Sequence, residues 1–240
     1  MIDKRQVLVV VPARGGSKGV PLKNLKTVHG VSLVALTARL IEALHWVDRA
    51  VVSTDHEQIA SEAEASGLGA PFRRPAALSG DRIGDRDVLA HALQEMERQD
   101  RRRYDVVVML QPTCPLRRPE HVTATVEKLV REELDAVWTV TPSDLKFHPL
   151  KQLKVRDDGR LIYYEPAGAE IIARQQLEPV YHRNGAAYAI ARQCLLEQKV
   201  LLGQRSGAIV ITEDLISIDT LEDFVAVERQ LVKAPPRTDA

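Results

Sequence analysis

Val7-Leu8-Val9-Val10-Val11-Pro12-Ala13-Arg14-Gly15-Gly16-Ser17-Lys18-Gly19 decides the fold. Five consecutive apolar residues, four of them β-branched, mark a strand covered on both faces, because a strand with one wet face alternates apolar and polar residues. Pro12 stops the strand and a glycine-rich loop follows. Leu33, Leu36, Thr37, Leu40, Ile41 and Leu44 then recur at helical spacing. A second strand runs over Ala50 to Ser53, and Ile59, Ala60 and Ala63 mark the next helix. Val88, Leu89, Ala92, Leu93 and Met96 give a third helix before the buried strand Val106 to Leu110, which ends ahead of Pro112. Val122, Val126, Leu129 and Val130 predict a further helix, and Asp135 to Val140 a further strand. This alternation is the pattern of an α/β protein whose mainly parallel sheet is covered by helices on both sides. Ligands of such sheets bind beyond the carboxyl ends of the strands, so the loops after Val11, Val52 and Leu110 share one rim.

The first of those loops is basic. No acidic residue occurs between Asp3 and Glu42, while Arg14, Lys18, Lys23 and Lys26 fall within thirteen positions. Gly15, Gly16 and Gly19 permit close backbone approach to a ligand and inward-pointing N–H groups. The cationic side chains suit charge-assisted bonds to phosphate oxygens. Two familiar phosphate loops are excluded by spacing. The segment lacks Gly-x-x-x-x-Gly-Lys-Ser/Thr, and Arg14 stands where a dinucleotide fingerprint needs its first glycine. The alternative is a tight turn with solvated lysines, which accounts for the glycines but not for the clustered charge.

The bulk composition sets limits. Lys plus Arg and Asp plus Glu both total 33, so no global field favours nucleic acid or a membrane surface, and anion binding has to be local. Cys114 and Cys194 have neither disulfide-framework nor metal-ligand spacing. The polar N-terminus carries no signal-peptide pattern and no apolar run is long enough to span a bilayer, so a cytoplasmic protein is expected. The tail 234–240 reads as flexible. Between about Pro142 and Asn184 the α/β rhythm breaks, with a β-like patch at Leu161-Ile162-Tyr163-Tyr164. A departure of about 40 residues inside one domain is read as an insertion that forms a lid or a partner contact. The rhythm resumes at Ala186 to Ile190 and Ala208 to Thr212, and a last helix turns Leu221, Phe224, Val225 and Leu231 inward.

Six motifs in order resemble those of the acylneuraminate cytidylyltransferases, the CMP-sialic acid synthetases. They are Ala13 to Gly19 followed by Pro21-Leu22-Lys23-Asn24, Ser53-Thr54-Asp55 with Arg74-Pro75-Ala76, Leu110 to Arg117, His148 to Lys151, Arg183 to Ala186, and Ile218-Asp219-Thr220. Cys114 stands where serine is usual. The resemblance covers nearly the whole chain and implies a three-layer αβα, Rossmann-like nucleotide-diphosphosugar transferase fold. It also implies the reaction: the anomeric 2-hydroxyl of an acidic nine-carbon 2-keto sugar attacks CTP and expels pyrophosphate. Positioning and charge neutralisation carry such a transfer.

The resemblance assigns roles residue by residue. Arg14, Lys23 and Asp219 form the catalytic set, with Arg14 bracing the α-phosphate. Ala13, Ser17, Lys18, Asn24 and Arg74 complete the nucleotide site. Gln111, Lys151, Asn184 and Tyr188 line the sugar pocket, with Lys151 a partner for the sugar carboxylate. Asp219 is the expected Mg2+ ligand, and it has an alternative place in the N-cap region of the last helix. Arg74 has an alternative as a surface charge beside Arg73, and Gln111 as a strand-end cap. Many relatives carry a carboxylate where this chain has Ser217. Either one metal suffices, or another acid such as Asp214 contributes, or metal binding is weaker. His29, His148 and His182 lack ligand spacing and read as surface or pocket-wall residues. The insertion 142–184 is expected to build a homodimer and to close the neighbouring subunit's sugar pocket. The remaining possibilities are an octulosonate cytidylyltransferase, an amino-sugar guanylyltransferase, and a binding protein that has lost turnover.

Overall fold

Five side chains at Val7 to Val11 are wholly buried, and alternation along the strand sends them to two different cores. Val7, Val9 and Val11 join one apolar cluster, Leu8 and Val10 another. A strand with this requirement has to lie at the middle of a sheet with a layer on each side. The computed structural model of the chain, which describes residues 2–233, places it there. The expected flexible tail 234–240 lies outside the described residues.

The elements run β1 (Val7–Pro12), a small hairpin of β2 (Thr27–Val28) and β3 (Val31–Ser32), α1 (Leu33–Glu42), β4 (Arg49–Ser53), α2 (Glu57–Ala65) and α3 (Asp85–Asp100). Then come β5 (Val106–Met109), α4 (Pro119–Arg131), β6 (Ala136–Pro142), and a second hairpin of β7 (Leu153–Val155) and β8 (Leu161–Tyr163). The chain finishes with β9 (Tyr181–Ala191), α5 (Arg192–Leu196), β10 (Ser206–Val210) and α6 (Leu221–Lys233). The large sheet has the order β10-β6-β9-β5-β1-β4. β1 pairs in parallel with β4 and β5, whereas β9 runs antiparallel to β5, Met109 opposite Tyr188. The sheet is therefore mainly parallel with a reversed strand inside it, the α/β class expected from the alternation.

The layers follow from the helix faces. Val34, Ala38 and Ile41 of α1, Ile59, Ala60 and Ala63 of α2, and Val122, Val126 and Leu129 of α4 pack on the face that takes Val7, Val9 and Val11. Leu89, Ala92, Leu93 and Met96 of α3, with Cys194 and Leu195 of α5, cover the other. α1 starts where it does because the Ser32 hydroxyl accepts the Ala35 N–H at 3.1 Å.

One expectation is corrected. In α6 Phe224 and Val227 are buried, but Leu221 and Val225 are exposed. Thr220 caps this helix, accepting the Asp223 N–H at 3.3 Å while Asp223 Oδ2 accepts the Thr220 N–H at 2.7 Å. That start puts positions 224, 227 and 231 on the inner face and turns 221 and 225 aside. The β-like patch expected at 161–164 is present as β8, Leu161–Tyr163, the second arm of the β7–β8 hairpin.

The chain divides into two compact units. Among the described residues, one comprises 2–139, 184–209 and 214–233, the other 140–183 with 210–213. The second unit is built of the β7–β8 hairpin and short 3-10 turns, and it exposes Phe147, Val155, Leu161, Tyr164 and Ile172. Cys114 and Cys194 are both buried and unpaired.

Truncating Leu8 to Ala removes a side chain packed on all sides and is expected to lower unfolding free energy by about 2–5 kcal/mol in urea titration. Leu221→Ala, on the exposed side of α6, is expected to change it by less than ~0.5 kcal/mol. Equal effects would contradict this assignment of faces.

Candidate active site

Strand register fixes the site. Pro12 is opposite Ser53, and Val10 is opposite Met109, so the chain leaves β1, β4 and β5 at one level. The residues that follow (Arg14, Thr54 and Gln111) emerge together at the carboxyl rim. A fourth extended segment reaches that rim beside β4, where Val52 N–H bonds the Gly69 carbonyl. It delivers Arg74 and the loop Gly80 to Gly84. A cleft of ≈ 520 Å³ opens there, and Arg14, Ser17, Lys18, Lys23, Asn24, Arg74, Gln111 and Asp219 all line it.

The glycines of the first loop serve intramolecular packing as well as openness. A Cβ on Gly15 would sit 2.8 Å from the His56 ring, and the Gly15 N–H donates to Asp55 Oδ1 at 2.9 Å. That N–H is thus committed to the protein and does not point at a ligand, as the sequence had suggested. A Cβ on Gly19 would lie 2.7 Å from the Asp219 carbonyl oxygen. The basic loop therefore runs directly against the segment that carries Asp219.

Each cation has a defined setting. The Arg14 guanidinium and the Lys18 ammonium both bond Asp81, at 2.8 Å and 2.6 Å. Lys23 sits in a 3-10 turn entered through Leu22 at φ 49°, and its ammonium bonds Asp219 Oδ1 at 2.9 Å and the Ile218 carbonyl at 2.7 Å. Asn24 is buried and donates from Nδ2 to the Arg14 carbonyl at 3.1 Å, holding the loop rather than facing outward freely. Arg74 is 6 % exposed, with Nε donating to the Ser53 hydroxyl and Nη2 to the Ser53 carbonyl. It is not a surface charge; that part belongs to Arg73, which pairs with Glu57. Burial pushes the Arg74 pKa down, against the pull of Asp55 and Asp85.

The acidic side is as organised. Hydrogen bonds from Lys18 and Arg14 hold the Asp81 carboxyl below the usual range. These pairs are formed at neutral pH and are lost as pH falls through that lowered value. Asp219 and Thr220 donate their backbone N–H groups to Asp223 Oδ2 at 2.8 Å and 2.7 Å, which depresses Asp223 likewise. Thr220 is the N-cap of α6, so Asp219 precedes the cap and turns its carboxylate to Lys23. Asp214 does not line the cleft, and Ser217 is exposed.

Not every expected residue gathers here. Ala13 is wholly buried with its N–H bonded to the Ser53 carbonyl. Asn184 and Tyr188 are buried and do not line the cleft: Asn184 Oδ1 accepts from Thr139 Oγ1 and Ala186 N, and the Tyr188 hydroxyl accepts from Gly185 N. Gly185, at φ +75°, brings them toward Gln111, whose Oε1 would be 3.0 Å from an added Cβ. Lys151 is exposed in the second unit. His182 bonds Ser143, His148 Nδ1 accepts the Leu150 N–H, and His29 engages Glu228.

Sequence reasoning missed Asp81 and Asp223. Thr220-x-x-Asp223 is a capping-box spacing and was readable. Asp81 gave no local signal, because only tertiary folding brings Gly80 to Gly84 over the basic loop.

A cation-lined cleft at the carboxyl rim of a mainly parallel α/β sheet defines a nucleotide-binding class. A family model described as cytidylyltransferase matches residues 8–227, from β1 into α6, and the chain belongs to that family of nucleotidyltransferase enzymes. It is 30 % identical over 227 residues to CMP-N,N'-diacetyllegionaminic acid synthase of Legionella pneumophila, covering 93 % of this chain and 95 % of that one. It is 29 % identical to N-acylneuraminate cytidylyltransferase of Streptococcus agalactiae over 92 % of this chain but 52 % of that protein, so the chain spans about half of that relative. The solved structure of CMP:2-keto-3-deoxy-manno-octonic acid synthetase in complex with CTP has the same fold, with a TM-score of 0.70 at 17 % identity over 95 % of this chain and 98 % of that one. Among the described residues no helix is long and apolar enough to cross a membrane.

Gly19→Ala forces a methyl group against backbone oxygen. It is expected to destabilise the fold by about 1–3 kcal/mol and to weaken pyrophosphate binding in calorimetry. Unchanged stability and binding would mean that the loop does not pack on Asp219.

Proposed function

We propose that this enzyme transfers CMP from CTP to the anomeric 2-hydroxyl of an acidic nine-carbon 2-keto sugar of the N-acylneuraminate, legionaminate or pseudaminate type. The observation that carries the reading is the convergence of Arg14, Lys18, Lys23 and Arg74 on one cleft with Gln111 and Asp219. Four cations at a strand rim suit a triphosphate, and the family membership supplies the cytidine. The sugar hydroxyl oxygen forms a bond to the α-phosphorus, the α–β bridging bond breaks, and its electrons leave with pyrophosphate. The hydroxyl proton passes to a base or to solvent.

The protein's part is placement and charge. Arg14 and Lys23 neutralise the charge that develops on the α-phosphate and the leaving group, interactions that strengthen in the transition state. Ser17 and Lys18 hold the outer phosphates, Asn24 fixes the Arg14 backbone, and Arg74, anchored to Ser53, closes the nucleotide side. Gln111 offers an amide to a sugar hydroxyl. Asn184 and Tyr188, engaged through Thr139 and Gly185, act by shaping the wall behind Gln111. Lys151 is assigned to the sugar carboxylate.

Among the described residues no three acidic, histidine or cysteine side chains cluster to cage a metal. The donor set fits Mg2+, which is commonly held by one or two carboxylates plus substrate phosphates. Asp219 is the proposed ligand, and the ion when bound supplies further neutralisation of the triphosphate.

A homodimer joined through the second unit is part of this proposal. Apolar side chains such as Ile172, 93 % exposed, and Phe147, 64 % exposed, support it. A cytoplasmic location is also part of the proposal, in keeping with two unpaired cysteines.

Release of pyrophosphate from CTP and magnesium is expected only with an acidic sugar. A panel of N-acetylneuraminate, legionaminate, pseudaminate and the octulosonate ranks the substrates, and no release with any of them alongside intact CTP binding would sink the enzyme reading. Lys23→Ala is expected to lower kcat/KM about 100-fold or more, ~2.7 kcal/mol of transition-state stabilisation. Sedimentation at micromolar concentration is expected to give a dimer; a monomer contradicts that part of the proposal.

A further inference from the structure

Among the described residues, Asp81 is the carboxylate that engages two members of the phosphate clamp at once. Its Oδ1 takes Arg14 Nη1 at 2.8 Å and its Oδ2 takes Lys18 Nζ at 2.6 Å. Two acceptor oxygens with a negative charge are also what a phosphate group presents, and a guanidinium and an ammonium bind either in the same way. The carboxylate therefore occupies donors that a phosphate needs. Its bonds are exposed, with side-chain accessibilities of 31 % for Arg14, 78 % for Lys18 and 41 % for Asp81, so solvent weakens them. The segment carrying Asp81 is flanked by Gly80 and Gly84, and a Cβ on Gly84 would touch nothing within 4 Å. Asp81 is thus placed to yield to a stronger anion.

We propose that Asp81 is a specificity-determining residue: a resident anion that an incoming polyphosphate displaces, and that makes the cleft prefer phosphate accompanied by a divalent cation. The inference rests on the reading of this cleft as the CTP site and adds a selection step to it. Displacement leaves the Asp81 carboxylate beside the polyphosphate that replaced it, two like charges at close range on one rim. Metal-free polyphosphate meets this repulsion. Polyphosphate carrying a divalent cation does not, because the cation gives both anions a partner. Asp219, paired with Lys23, and Asp81, paired with Arg14 and Lys18, both line this cleft, so neither half of the clamp stands without a counter-charge.

Calorimetric titration of inorganic pyrophosphate and of CTP, each with and without magnesium, tests this on wild type and Asp81→Asn. Metal-free pyrophosphate is expected to bind Asp81→Asn at least threefold tighter than wild type, and the gain in affinity on adding magnesium is expected to shrink by at least tenfold. Glu127→Gln, the same charge change on an exposed residue of α4 that does not line the cleft, is expected to leave both values at wild type. Thermal melts verify that the variants are folded; should Asp81→Asn not fold, Asp81→Ser takes its place in the same titrations. Metal-free affinity that is unchanged or weaker in the Asp81 variant overturns the proposal, and so does an equal tightening in Glu127→Gln. The two readings fail separately. If pyrophosphate shows the shift but CTP does not bind, the cytidine assignment falls and the role of Asp81 stands. If CTP binds and neither probe shows the shift, the role of Asp81 falls and the function stands.

Discussion

Parallel pairing of β1 with β4 on one side and β5 on the other is the constraint on which the molecule depends. It buries Val7 to Val11 completely, splits their side chains between two cores, and brings three chain exits to one level. Everything at the cleft hangs from those exits. Arg14 comes two residues after β1, Arg74 is tied to the end of β4 through Ser53, and Gln111 comes two residues after β5. A slip of one residue at β1 would exchange the two cores and shift the basic loop away from Asp219, so sheet register and phosphate geometry are one requirement.

Charge is managed by the same economy of placement. A cluster of cations on one loop repels itself, and the fold answers with carboxylates from distant parts of the chain. Asp219 reaches Lys23 from the start of α6, and Asp81 reaches Arg14 and Lys18 from the loop before α3. Arg74 is held by Ser53 oxygens with Asp55 and Asp85 near enough to favour its charge. The clamp is consequently pre-organised, which lowers the reorganisation needed when a triphosphate binds and when charge moves from the α-phosphate to the leaving group.

The strands and the helices of the main unit were legible because their apolar periodicity is local. Val7 to Val11 reads as a doubly buried strand without any knowledge of its neighbours. The basic loop was equally plain, since four cations without an acid nearby stand out in one dimension. The orientation of α6 was misjudged because spacing alone admits two faces, and the Thr220 cap selects between them. The antiparallel run of β9 follows from a chain path that no short window contains. Asp81 was invisible for the same reason: its meaning is a contact across 67 residues with Arg14. Asn184 reads from the sequence as a pocket residue, yet its amide oxygen serves Thr139 and Ala186, a commitment that sequence does not disclose.

The central claim is that an acidic sugar attacks the α-phosphorus of CTP within this cleft. A single turnover with a sugar carrying ¹⁸O at its anomeric hydroxyl, analysed at once by mass spectrometry, tests it directly. The account predicts a CMP-sugar that retains the label in the oxygen bridging carbon and phosphorus, with unlabelled pyrophosphate. A conjugate without the label, or label found in the pyrophosphate, would contradict it.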